Sequence, residues 1–257
     1  MQPLELTQFL PTNAFAALLV FARIGSAMML LPGFGEVYVP QRFRLLLALL
    51  ISAVMLPVVA PLLPALPSGP SELLMVVGSE IAVGIFIGTL ARMILAALET
   101  AGQVVSMQMG LSNAVMFNPA AAAQDAIPAA LYGMLGVLLI FLTNLHHLML
   151  RGLMDSYMVF TPGRLPPLED LSQTMAHAVS GSFRLAIEMA SPFIVLGTVF
   201  FVGLGLIARL VPQLQVLFVT QPLQIMGGLV LFALIMATGM GWFLDAMTQQ
   251  FNVMIPG

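Results

Sequence analysis

The chain has 257 residues, of which 60% are hydrophobic and 7% charged, with a formal net charge of −3 and a mean hydropathy of +1.04. Soluble domains carry roughly 25% charged residues, so this composition excludes an ordinary soluble fold and is read as a set of membrane spans of about 20 apolar residues each. All eight basic residues are scattered arginines, which argues against a nucleic-acid partner, and the absence of cysteine rules out disulfides, thiolate metal sites and a cysteine nucleophile.

The first stretch, "MQPLELTQFLPTN", lacks the basic start of a cleavable signal peptide, and insertion by an internal span without processing is expected. The run from Ala14 to Leu31 is apolar but contains Arg23. Leu45 to Leu66 carries no formal charge and is long enough to cross a bilayer. Leu73 to Leu98 is again long, interrupted by Glu80 and Arg92. Three further charge-free runs follow, Ala129 to Leu150, Met189 to Ala208 and Leu223 to Leu244, which brings the expected hydrophobic segments to six.

Prolines fall in or beside these runs at Pro57, Pro61, Pro64, Pro192, Pro212 and Pro222. In hydrocarbon a carbonyl freed by proline must find another partner, so such helices belong against protein or a lined cavity. Arginine counting does not orient the chain. Arg42 and Arg44 hold the first connection in the cytoplasm, and alternation then places the connection bearing Arg151, Arg164 and Arg184 outside.

Within the third run, Glu80, Gly84, Gly88 and Arg92 recur every four residues, a stripe that drifts only about 40° per step on a helix. Gly84 and Gly88 form a GxxxG pair that allows close backbone approach, and the charges require that the stripe face protein. Glu80 and Arg92 are roughly 18 Å apart along one helix, so their partners must come from another segment or another chain. Arg184 and Glu188 are spaced to pair on one helix face. The polar stretch "TPGRLPPLEDLSQT", Thr161 to Thr174, marks a boundary, with Asp170 or Ser172 available to cap the helix that follows.

No catalytic constellation emerges. His146 and His147 point about 100° apart on a helix and cannot chelate one ion as an i, i+4 pair would, and Gly110, Leu111 and Ser112 form no nucleophile elbow. The chain is therefore read as a non-enzyme without cofactor or metal.

Four stretches in order, "GFGEVYVPQRFRLLLALLISAVMLP" from Gly33, "AGQVVSMQMGLSNAVMFNP" from Ala101, "HHLMLRGLMDSY" from His146 and "GLGLIARLVPQLQVLFVTQPLQIMGGLVL" from Gly203, resemble the flagellar biosynthetic protein FliR family. The injectisome has a homologous component, and a secondary transporter with Glu80 and Arg92 at a midplane site is the rival from another class. The resemblance implies an all-α protein of about six long, partly broken segments, with residues 1–170 similar to FliP and 171–257 to a FliQ hairpin. It also implies a role in the type III export gate, as a core part of the channel for unfolded flagellar subunits. The implied partners are FliP and FliQ in a heteromeric helical complex, then FlhB and FlhA, and the implied location is the bacterial inner membrane at the flagellar basal body.

The resemblance also maps a pore-occluding segment onto Met107, Met109, Gly110, Leu111, Met116, Phe117 and Pro119. Deformable apolar side chains suit a seal that must yield to varied chains and still exclude ions by dewetting. Arg209, Pro212 and Gln213, with the Glu80 to Arg92 stripe, are expected to serve helix or subunit packing. Two departures from the family pattern limit the carry-over. Asn118 and Pro119 stand where many members have Asp-Pro, and the stretch "VTQPLQ" from Val219 to Gln224 is more polar than the family's version.

Overall fold

The computed structural model describes residues 6–111, 126–210 and 216–254, and among them all regular structure is helical. Seven α-helices follow in chain order. These are α1 (Leu6–Leu30), α2 (Gln41–Val59), α3 (Pro70–Gln108), α4 (Ile127–Leu142), α5 (Leu145–Val159), α6 (Leu168–Leu210) and α7 (Val216–Met254). The all-α class expected from composition and resemblance is what the chain adopts. Among the described residues five helices are long and apolar enough to cross a membrane, and α4 with α5 make a sixth candidate only if the pair counts as one broken span.

That break corrects the expectation of a single helix from Ala129 to Leu150. Asn144 adopts the left-handed conformation with φ 59°, which asparagine tolerates better than other non-glycine residues, and a fresh helix starts at Leu145. The chain turns there through Asn144 N–H to Phe141 O at 3.3 Å and His147 N–H to Asn144 O at 3.0 Å.

The start of α6 gives a second correction. Pro166 and Pro167 stop the preceding chain, and Leu171 N–H already donates to Pro167 O, so the helix begins ahead of the expected caps. Asp170 and Ser172 lie inside it: Ser172 Oγ donates to Glu169 O and Thr174 Oγ1 to Asp170 O, both at 2.8 Å. Glu169 and Asp170 instead act through charge, two carboxylates in a first turn whose unpaired N–H groups carry positive partial charge.

Proline is accommodated inside α2, α6 and α7, at Pro57, Pro192 and Pro222. In α6 the repair is visible. Pro192 cannot donate to Glu188 O, and the Ser191 hydroxyl takes that acceptor at 2.8 Å. The expected pair on this helix also forms, Arg184 Nε donating to Glu188 Oε1 at 2.7 Å with both side chains exposed. With 43 and 39 residues, α6 and α7 are about 64 Å and 58 Å long, close to twice the hydrocarbon thickness.

The chain divides into two compact units, residues 1–93, 140–178 and 247–257, and residues 94–139 and 179–246. In the first, α1 supplies the fully buried Leu19, Val20, Ile24, Ala27 and Met28, packed with Ile87, Leu90, Met149 and Leu153 in a core that also buries Met55 of α2. In the second, Leu95, Leu98, Ala101 and Val105 of α3 and Tyr132 of α4 are buried with Met189 and Phe193 of α6 and Phe232 and Phe243 of α7. Tyr132 and Phe193 both meet the ring of Phe232, with centroids 5.0 and 6.2 Å away.

Candidate functional site

Two regions bring sequence-selected residues together, one in each unit. In the first unit, Glu80 of α3 faces Arg23 of α1, and both are fully buried. The guanidinium grips the carboxylate as a fork, Nε to Oε2 at 2.7 Å and Nη2 to Oε1 at 3.0 Å. Its remaining donors reach Ser156 O, Ser156 Oγ and Phe160 O at 3.1 to 3.3 Å, so all five are used. The Tyr157 ring lies beneath it, 4.0 Å from the guanidinium carbon. Glu80 Oε1 also accepts the Gly163 N–H at 2.8 Å. One buried charge pair thereby ties α1, α3, the end of α5 and the turn beyond it.

The stripe continues along α3. A Cβ at Gly84 would strike Ser26 Oγ and Arg23 O, and one at Gly88 would stand 2.8 Å from Ala27 O. The two glycines therefore let α1 lie close enough for Arg23 to reach Glu80. Arg92 Nη1 donates to Glu36 Oε1 at 2.7 Å, and Arg44 Nη2 holds the backbone of the same turn through Glu36 O and Val39 O. Arg23, Glu36 and Arg44 were not singled out from the sequence as partners. The only available signal was the rule that a charge in an apolar run needs a counter-charge, which does not say where that counter-charge lies. The His146 ring packs on Phe141 and on His147, with centroids 5.2 and 4.1 Å away, so the two imidazoles lie together rather than pointing apart, and among the described residues no group of three or more potential metal ligands forms.

In the second unit, the "MQMGL" part of the candidate seal ends α3. Gly110 has φ +75°, its N–H donates to Met107 O at 3.1 Å, and Leu111 N–H reaches back to Ser106 O at 3.1 Å. This paired pattern around a left-handed glycine is a Schellman stop, and it accounts for glycine at this position. The turn separates the methionines. Met109 is 1% exposed, whereas Met107 is 65% exposed, and Leu111 is half-buried.

Gln224 Nε2 of α7 donates to Gln108 O at 2.7 Å, and a Cβ at Gly228 would come within 2.5 Å of Met109 Cγ. Beside these contacts is a cavity of about 200 Å³, lined by Phe193, Leu196, Phe200 and Leu223 together with Met109, Gln108 and Gln224. Arg209 is exposed in the last turn of α6, where a cation complements the helix carbonyls. Met116, Phe117, Pro119, Pro212 and Gln213 lie outside the described residues.

Comparison with known proteins gives this helical frame a family. The description "Bacterial export proteins, family 1" matches residues 14–250. The flagellar biosynthetic protein FliR of Caulobacter vibrioides is 36% identical over 222 residues, covering 86% of this chain and 88% of that protein. The FliR proteins of Bacillus subtilis and Escherichia coli are 30% and 31% identical, over 82% and 80% of this chain and 82% and 78% of their own lengths. The Yop proteins translocation protein T of Yersinia pestis is 27% identical over 59% of each chain. The chain belongs to the FliR family of bacterial export proteins and is an integral-membrane component of flagellar type III export.

Proposed function

We propose that the chain is a core component of the flagellar export gate, forming with FliP and FliQ the inner-membrane channel for unfolded flagellar subunits and sealing it with the apolar segment that leaves α3. The observation that carries this reading is the end of α3. A Schellman turn anchors Met109 inside and leaves Met107 exposed, so the helix stops abruptly at the start of a segment rich in soft apolar side chains. Met107, Leu111, Met116 and Phe117 supply the seal, Met109 and Gly110 root it, and Pro119 bends it.

In this reading residues 1–170 correspond to a FliP-like part and 171–257 to a FliQ-like hairpin. The hairpin supports this, because helices of such length and hydropathy keep only 11% (α6) and 22% (α7) of their most apolar stretches buried within the chain. Partner helices cover the rest, with Arg209, Pro212 and Gln213 at the packing surface and FlhB and FlhA adjoining. The transporter alternative draws no support from Glu80, whose carboxylate is occupied by Arg23 and the Gly163 N–H. The flagellar branch is favoured over the injectisome by the greater coverage of the FliR relatives.

Deleting residues 110–114 tests the seal. The assembled gate should keep its composition and pass more ions across the membrane. Unchanged conductance in a fully assembled deletion variant would overturn the reading.

A further inference from the structure

Within the second unit, α3 ends against the α6–α7 hairpin. A helix C-terminus leaves its last carbonyls without intrahelical donors. The Schellman turn satisfies Ser106 O and Met107 O, and the next carbonyl, Gln108 O, receives the Gln224 carboxamide of α7 at 2.7 Å. Two glycines on the hairpin make the close approach possible. Met109 is seated over Gly228, and Gln108 Oε1 lies against Gly197, where a Cβ would collide with it.

The fixation is local. Met109 is buried to 1% exposure and Met107, two residues earlier, is open. The adjoining 200 Å³ cavity leaves space on the hairpin side of the contact, and the linkage itself is a single neutral hydrogen bond.

We propose that Gln224 is a positioning residue, whose carboxamide, with Gly197 and Gly228, clamps the end of α3 to the α6–α7 hairpin and fixes the point where the chain leaves that helix. A displacement of α7 would carry the last turn of α3 with it, so the hairpin sets where the following segment begins. The clamp stands on the described contacts alone, whereas its consequence for ion leakage rests on the sealing function proposed above.

The test uses the full-length chain in the complex gently extracted from membranes. Gln224→Glu keeps the side-chain shape and replaces the donor by an acceptor facing a carbonyl. Gln224→Leu removes both. Amide hydrogen exchange at Met109 to Leu111 should accelerate about fivefold in each, the scale of one lost hydrogen bond, while amides from Val83 to Leu95 keep their protection. Unchanged exchange at Met109 to Leu111 would overturn the clamp. If Q224E does not accumulate, Gln224→Asn, one methylene too short to reach Gln108 O, reads the same amides.

Conductance of the same assembled variants separates the two proposals. Leakage from both the 110–114 deletion and Q224E supports clamp and seal together. Leakage from the deletion alone, with accelerated exchange in Q224E, overturns the positioning role and spares the seal. A deletion that does not leak overturns the seal, and the exchange result then decides the clamp.

Discussion

The chain satisfies its inward polar groups in two contrasting ways, one fully buried and one half-buried. Around Arg23 and Glu80 a full charge pair is removed from solvent, and every guanidinium donor has an acceptor. At the end of α3 a neutral carboxamide makes one hydrogen bond beside an open cavity. Removing one member of a buried charge pair strands the other in an apolar interior at a cost of about 3–5 kcal/mol, whereas a neutral hydrogen bond contributes about 1 kcal/mol net. The first arrangement suits a joint that stays shut. The second holds its partners with a smaller margin.

The sharpest way to break this contrast is to remove one charge. Arg23→Leu or Glu80→Leu should destabilise the chain by about 3–5 kcal/mol, read as loss of accumulated protein and a lower thermal transition after extraction. The double variant Arg23→Met with Glu80→Met should recover much of that loss, since no charge is then stranded. A double variant as unstable as either single one would mean that the joint is held by shape and that its charges are incidental.

Next in size is Gly84→Val, whose side chain would meet Ser26 and the Arg23 carbonyl and push α1 away. A loss of about 1–3 kcal/mol is expected from overpacking, with Gly78→Ala, which meets nothing within 4 Å, as the comparison. Equal stability of the two variants would show that α1 and α3 do not need their close approach. The clamp variants at Gln224 come after these, their effect confined to a few amides. Smallest of all, replacing both Arg184 and Glu188 by alanine should leave the thermal transition unchanged, because that pair is exposed on one helix face.

Much of the first region was legible in the sequence. The four-residue recurrence of Glu80, Gly84, Gly88 and Arg92 defines a face from helical geometry alone, and the cost of burying charge requires counter-charges. Which residues answer them was not legible, because Arg23 and Glu36 lie 57 and 56 positions away and come from other segments. Periodicity is also blind to Asn144, where an apolar run continues through a 75° bend, and to the start of α6, where two prolines end one element and admit the next.

The second region was legible only as an anomaly. Three methionines with glycine, serine and asparagine make a poor helix, and Gly110 is where the helix stops. That Met109 is anchored while Met107 is open depends on Gly228 and Gln224, more than a hundred residues on. Gln224 belongs to the "VTQPLQ" stretch that departs toward polarity, and in the fold that polarity has a use.

The separation of Arg23 from Glu80 also has a meaning in time. Synthesis runs at about 5–20 residues per second, so the arginine precedes its counter-ion by roughly 3–11 s, and Ser156, 133 positions on, arrives later still. Throughout that interval the first helix carries a cation whose acceptors have not yet been made. It reaches its finished state only when the third helix and the turn past Phe160 close around it, so the order of manufacture and the order of assembly differ from the first span onward.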